Sequence, residues 1–385
     1  MKRLALATLF GAVIAAPADA IPAFARKYGV PCSMCHDPVP SLNPYGMRFA
    51  AMGYVMSDED TVGTNSHGDP LLRLNDVLPI AIRFDAYVRA SGGRSVRWDF
   101  QTPTIAKLLS GGQIARGVSY YLYLLLAEGG KTGPIEDAWL LFRKPIGIPA
   151  DITIGQFQII DPVWKRELRI TLEDYSILGF RAGASAANLT YDRGIMVGAA
   201  PTATTAIYGA VTNGNGIEEA VDGQFDGDAP KAGTLMVTQT LGPLTVGGVG
   251  YYGRQLVIPT GQTASVTNLT RMIGPSAVLQ LGSMDFSAQY LYRDDSDPDF
   301  TGTTALATTR GGFAEAKWWP QGHGNRTLVT GLYNIIDTSA PGADYETATL
   351  NLSYLFARNV RVALEYTRDM VGNSNAVGFG VVTAF

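Results

Sequence analysis

Residues 360–385 read VRVALEYTRDMVGNSNAVGFGVVTAF. In the first seven, Val360, Val362, Leu364 and Tyr366 fall on one face of an extended chain, and Arg361, Ala363 and Glu365 on the other. Val377 to Phe385 alternates likewise and stops on an aromatic residue. Successive side chains of a strand point to opposite faces, so this stretch predicts two strands, each apolar on one side, joined by a turn. Within 285–292, Phe286, Ala288, Tyr290 and Tyr292 alternate with Asp285, Ser287 and Gln289.

Working outward, the alternation predicts sixteen strands at roughly 78–91, 95–102, 117–128, 134–143, 150–160, 187–199, 204–213, 234–242, 244–256, 267–281, 284–294, 308–319, 326–337, 346–357, 360–369 and 375–385. Connections near RKPIGIPA, APTAT, GP, GS, PQGHGN and RN are short, whereas 161–186, 214–233, 257–266, 295–307 and 338–345 are long. Outer-membrane barrels have short periplasmic turns and longer extracellular loops. Both termini then lie in the periplasm only if the strand number is even. That constraint places a strand at 95–102, joined to the first by Ser91-Gly92-Gly93-Arg94. A periplasmic β-sandwich would share the alternation but not this strand count and loop asymmetry. The fold class is therefore all-β: a transmembrane barrel of about 16 antiparallel strands over 76–385.

Composition agrees. The 385 residues include 44 Gly, are 46% hydrophobic and 10% aromatic, and only 17% are charged, with a net charge of −4. Soluble domains carry about 25% charged residues. The chain is too apolar to be disordered and not basic enough for a nucleic-acid binder. Past residue 20 no run of 18 apolar residues could make a membrane helix. The partner this implies is outer-membrane lipid, spread along strands. Tyr251, Tyr252, Tyr290, Tyr292, Trp318, Trp319, Tyr333, Tyr354 and Tyr366 lie near strand ends and are candidates for aromatic girdles.

The first twenty residues predict export. Lys2 and Arg3 precede an apolar run from Leu4 to Ala16 and a small-residue cleavage site at Ala18-Asp19-Ala20. Residues 1–20 read as a signal peptide, and the mature chain opens at Ile21.

Residues 21–75 predict a small α-helical c-type haem segment, a plug or periplasmic mouth. Cys32-Ser33-Met34-Cys35-His36 is the C-x-x-C-H of haem attachment. Two thiols on one turn can each join one haem vinyl group, and His36 then offers its imidazole as proximal iron ligand. A zinc site would need more Cys or His nearby, and a thioredoxin-like site a βαβ surround. The expected cofactor is one covalent haem c, with Cys32, Cys35 and His36 binding it. For the distal ligand Met52 or Met56 is expected, on a helix predicted over 45–54 with Phe49 and Met52 on one face. Met47 follows the motif more closely, and His67, in SHGDP, reads as a solvated turn.

Residues 161–182, DPVWKRELRITLEDYSILGFRA, concentrate charge in a chain poor in it. Counting strands, they form the third extracellular loop. At 3.6 residues per turn Arg166, Arg169 and Glu173 share one face and Trp164, Leu168 and Leu172 another. Two readings stay open: a constriction or contact near the haem, and a solvated charged loop.

IPAFARKYG, C-x-x-C-H, P-x-LNPYG and GY resemble the amino-terminal haem segment of outer-membrane porin–cytochrome c fusions, a group that includes monohaem cytochromes of iron-oxidising bacteria. Stretches of 99–196, among them DFQTP, IEDAW and GQFQIIDPVWKRELRITLEDY, resemble barrels carrying the same leader. The terminal Phe385 resembles the sorting signal of outer-membrane proteins. The resemblance implies electron transfer across the bacterial outer membrane between an extracellular donor or acceptor, such as Fe(II), and a periplasmic electron carrier such as a soluble cytochrome. Ferrous iron oxidase activity is one form of this. The alternatives are a diffusion porin with a regulatory or partner-docking haem domain, and the barrel component of a multihaem conduit. No Ser-His-Asp or His-rich pattern suggests hydrolysis.

Overall fold

A computed structural model describes residues 23–56, 69, 79–92, 96–220, 222–261, 263–303 and 306–385. The signal peptide, Ile21, His67 and most of 57–78 lie outside them. The strands are β1 (Ile80–Gly92), β2 (Arg97–Ala115), β3 (Val118–Glu128), β4 (Ile135–Phe142), β5 (Asp151–Gln158), β6 (Tyr191–Ala199), β7 (Thr205–Thr212), β8 (Ala232–Leu241), β9 (Leu244–Val257), β10 (Val266–Leu281), β11 (Met284–Asp295), β12 (Ala307–Trp318), β13 (Thr327–Thr338), β14 (Tyr345–Ala357), β15 (Val360–Asp369) and β16 (Ser374–Ala384). Each pairs antiparallel with its sequence neighbours, and β1 with β16 closes a sixteen-strand barrel. The seam is tied beyond the ladder: the Ile82 and Phe385 amides each donate to the other's carbonyl, at 2.6 and 2.9 Å. No helix among the described residues is long and apolar enough to cross a membrane.

The barrel is polar inside and apolar outside. On β15, Arg361, Ala363, Glu365 and Thr367 are buried toward the lumen, while Leu364 and Tyr366 are exposed. On β14, Asn351 and Ser353 are buried and Leu350, Leu352 and Tyr354 face outward. Lipid takes the place of a hydrophobic core as solvent for the apolar face. Of the expected girdle residues, Tyr252, Tyr290, Trp318, Tyr333, Tyr354 and Tyr366 are exposed, but Tyr251 and Trp319 are buried inside. Adjacent residues on a strand must face opposite ways, which separates Tyr251 from Tyr252.

The main departure from the sequence reading is β2, which runs to Ala115 rather than ending near residue 102. Pro103 suggests a strand end because it has no N–H for a ladder. Here Tyr87 pairs with Gln101 and Asp85 with Ile105, so 102–104 bulge opposite Ala86 and the proline needs no donor. The Ser91–Arg94 turn also shifts: β1 continues through Gly92, and 93–95 lie outside the described residues.

The third loop on the long-loop side, residues 159–190 between β5 and β6, folds into the lumen. Ile159, Ile160, Leu178 and Leu189 are almost wholly buried and form one cluster with inward side chains of the wall, among them Met236, Leu291 and Phe313. Lipid-facing charge near mid-membrane costs about 2–4 kcal/mol in such barrels. Leu352→Arg should therefore lower stability by about that much in urea unfolding from vesicles; an unchanged midpoint would contradict the placing of this face in lipid.

Candidate functional site

The haem-type motif sits at the short-turn mouth of the barrel. Helix α1 (Ala23–Tyr28) leads to a 3-10 turn at Cys32–Met34, then helix α2 (Pro44–Ala51). The turn is closed by the Cys35 and His36 amides donating to Cys32 O, at 3.2 and 2.9 Å. The residues after it read as a mounting. Asn43 caps α2, its Oδ1 accepting from the Gly46 amide at 2.9 Å, with Pro44 pre-set for the first helical position. The Asn43 amide donates back to Cys35 O at 2.9 Å, and its Nδ2 to Met34 O at 3.1 Å. A Cβ on Gly46 would stand 2.2 Å from Cys35 O, so only glycine lets α2 lie against the motif.

The segment is wedged against the wall. Gly53 and Tyr54 both take left-handed backbone, at φ 71° and 63°. That turn sets the Tyr54 ring between Phe24, at 4.7 Å, and Tyr121 of β3, at 4.8 Å, with Trp139 of β4 beyond at 6.2 Å. Arg26 donates to Ile80 O at 2.6 Å. On the opposite wall Asp37 accepts from the Gly324 amide at 3.1 Å and contacts His323 Nδ1 at 2.7 Å.

Cys32, Cys35, His36 and Met56 all line one cavity of about 1190 Å³, its open mouth included. Its other walls are mainly apolar: Phe24, Val39, Phe49, Leu109 and Tyr121, with Leu168 of the third loop. Both cysteines are free thiols, and burial pushes both above the usual thiol range. His36 Nδ1 lies 3.0 and 3.2 Å from the Pro40 and Ser41 carbonyls. Those acceptors place its proton on Nδ1 and leave Nε2 with a lone pair, the arrangement of a metal-ligating histidine. Burial lowers the His36 pKa, which keeps the ring neutral. The donor set and the apolar lining fit a haem.

The two candidate methionines part company. Met56 shares the cavity of the motif, whereas Met52, just past the end of α2, lines a second cavity with Met47, Met196 and Asp137. Phe49 faces the first, so Phe49 and Met52 do not share one surroundings. A third, hydroxyl-rich vestibule of about 2690 Å³ lies beside the segment, bounded by Thr204, Thr238, Ser276, Lys317 and the loop residues Trp164 and Tyr175. Among the described residues no cluster of three or more Cys, His, Asp or Glu is placed to hold a metal ion on its own.

The charged third loop is not a solvated loop, and its 3.6-residue spacing forms no continuous helix. Only Arg166–Leu168, a 3-10 turn, and α3 (Ser176–Gly179) are helical. Its charges pair partly within the loop, Lys165 with Asp161 and Arg166 with Asp174, and partly with the wall. Fully buried Lys107 of β2 pairs with Glu167 and lies 3.4 Å from Glu136 of β4. Arg83 of β1 donates to Glu167 O at 3.0 Å and pairs with Asp85. Trp164 Nε1 donates to Gln289 Oε1 at 2.9 Å, Tyr175 OH to Glu315 at 3.0 Å, and the Leu172 amide to Glu365 at 2.9 Å. The loop is thus latched from β1 and β2 across to β11, β12 and β15. Lys107, Arg83 and Glu365 escape sequence reasoning because each is one polar residue on an ordinary alternating strand; only closure shows that they converge on one loop.

Neither a protein-family model nor a curated protein matches the sequence. Solved structures match the fold. The chain is similar to OmpT of Vibrio cholerae in its loop L8 deletion form (14% identity, TM-score 0.57, 80% of this chain and 98% of that one). It is also similar to the anion-selective porin of Comamonas acidovorans (11%, 0.59, 80% and 98%) and to Salmonella typhi OmpF solved with daunomycin (11%, 0.57, 80% and 98%). The chain shares the closed β-barrel fold of these porin-type proteins.

The latch is testable. Burial opposes ionisation of Glu167, but Lys107, Arg166 and Arg169 overcome it and hold the carboxyl well below the usual range. A carboxylate lowered on folding adds stability that is complete above its unfolded pKa, about 4.3, and is lost only as pH falls through the lowered value. The latch should therefore hold from pH 8 to about pH 5. Glu167→Gln removes one partner of a buried pair, a change that costs about 3–5 kcal/mol, and should raise single-channel conductance. A variant with wild-type conductance would contradict the latch.

Proposed function

We propose that this barrel carries single electrons across the outer membrane through one covalent c-type haem held by Cys32, Cys35 and His36. The carrying observation is the convergence of both free thiols, the Nδ1-tethered His36 and Met56 on one largely apolar mouth cavity. Bound there, a c-type haem supplies one-electron Fe(III)/Fe(II) chemistry, with a potential set by axial ligand, burial and nearby hydrogen bonds. Cys32 and Cys35 are the tethers and His36 Nε2 the proximal ligand. Met56 takes precedence over Met52 as distal ligand because it alone shares their cavity. Phe49, Tyr54 and Leu168 exclude water from the wall and so favour the less charged state of any bound centre.

The position of the motif supports one arrangement of the two sides. The motif lies among short turns, which face the periplasm in such barrels, so a soluble periplasmic carrier is the partner there. The extracellular donor or acceptor, Fe(II) among the candidates, acts from the long-loop side, where the latched third loop fills the lumen. A diffusion porin with a regulatory haem segment is the second reading; the hydroxyl-lined vestibule favours it. Liposome conductance separates the two, since the electron-transfer reading requires a lumen closed to porin-sized solutes.

Made in cells that attach haem, the protein should gain the mass of one haem, and Cys32→Ala/Cys35→Ala should lose it. A haem-free wild-type chain would contradict the proposal. Met56→Ala should change the axial signature in magnetic circular dichroism and Met52→Ala should not; the reverse would reassign the ligand. Reduction by dithionite but not by Fe(II) would remove the iron-oxidising form of the proposal.

A further inference from the structure

The short loop that follows His36 closes on itself. His36 bridges antiparallel to Leu42, and the Asp37 amide donates to Ser41 O at 3.1 Å. Ser41 O thus serves two donors, since His36 Nδ1 lies 3.2 Å from it, and 3.0 Å from Pro40 O. Whatever fixes Asp37 and Ser41 therefore fixes the acceptors of the His36 ring.

Both are fixed from the barrel wall. The connection from β12 to β13, residues 319–326, presents His323 Nδ1 and the Gly324 amide to Asp37, at 2.7 and 3.1 Å, one to each carboxylate oxygen. A carboxylate accepts, so His323 Nδ1 donates. Just before this turn, Lys317 of β12 donates to the Ser41 hydroxyl at 3.4 Å. The turn is itself firmly seated. Trp319 is buried against Ile170 of the third loop and Leu328 of β13, and its ring lies 4.0 Å from that of His323. Asp285 Oδ1 stands 3.8 Å from His323 Nε2, and Arg358 donates to Gly324 O at 2.7 Å.

We propose that His323 and the Gly324 amide are positioning groups for His36: through Asp37 they hold the 36–41 loop so that the Pro40 and Ser41 carbonyls meet Nδ1–H, and so set how strongly Nε2 donates to a bound iron. The proposal rests on haem binding at Cys32, Cys35 and His36. A hydrogen bond from one ring nitrogen to a fixed acceptor orients the ring and raises the basicity of the other nitrogen. A stronger donor favours the ferric state, so the wall holds the potential down and loss of the clamp raises it. Charge alone acts the other way, since removing positive charge at His323 favours Fe(III) and lowers the potential.

The test compares His323→Ala with His323→Asn, whose side-chain N–H falls where Nδ1–H stood. In the full haem-loaded chain in lipid nanodiscs, His323→Ala should move the ferrous/ferric ratio at fixed potential about tenfold toward ferrous, a rise of about 59 mV for one electron, and His323→Asn should restore the wild-type value. A second arm needs no haem. The chain has three histidines, so ¹⁵N-histidine labelling of the full haem-free chain isolates the His36 ring. Its Nδ1–H should exchange with solvent faster in His323→Ala than in the wild type or His323→Asn. An unchanged or lowered potential in His323→Ala, equal shifts for Ala and Asn, or His36 exchange indifferent to His323 would overturn the proposal. Absence of haem from the wild-type chain would overturn the electron-transfer reading instead, and the exchange arm then decides the clamp by itself.

Discussion

In a bilayer every backbone N–H and C=O must find its partner within the protein. The structure follows from that constraint. Sixteen strands satisfy it only by closing, and closing divides the side chains into a lipid face and an enclosed face. Along β14 and β15 the apolar residues go out and Asn351, Ser353, Arg361 and Glu365 go in. The interior so created is shielded from lipid and can hold buried charge, provided each charge is paired. Lys107 with Glu167 and Glu136, and Arg293 with Asp295, are the result.

Two insertions then occupy the enclosed space from opposite ends. The third loop enters from the long-loop side and is pinned by ion pairs and hydrogen bonds around much of the wall. The amino-terminal segment enters from the short-turn side and is held by the Tyr54 wedge and by Asp37. They meet at Leu168, which borders both the motif cavity and the vestibule. An apolar chamber thereby forms in a polar barrel, in the one place where Cys32, Cys35, His36 and Met56 converge. Loop and segment together define the site; neither encloses it alone.

Much of this was legible in the sequence. Period-two alternation and alternating loop lengths marked fifteen strands, because both are direct consequences of pleat and topology; the even-number constraint called for the other, β2, but caught only its first residues. P-x-LNPYG and GY could be seen but not explained: their meaning is a helix cap, a close approach on Cys35 and a left-handed turn, all relations between backbones. Pro103 misled because strand propensity ignores bulges. The solvated reading of the third loop failed because its side chains pack and pair inside the lumen. Met52 and Met56 could not be ranked without knowing which cavity each faces.

The account stands or falls on whether the barrel passes electrons from one side of a membrane to the other. The direct measurement is reduction of ferric cytochrome c trapped inside proteoliposomes when Fe(II) or a membrane-impermeant reductant is added outside. The account predicts reduction with the haem-loaded wild-type chain and none with Cys32→Ala/Cys35→Ala at equal incorporation. Equal rates for the two, or no transfer by haem-loaded protein, would contradict it.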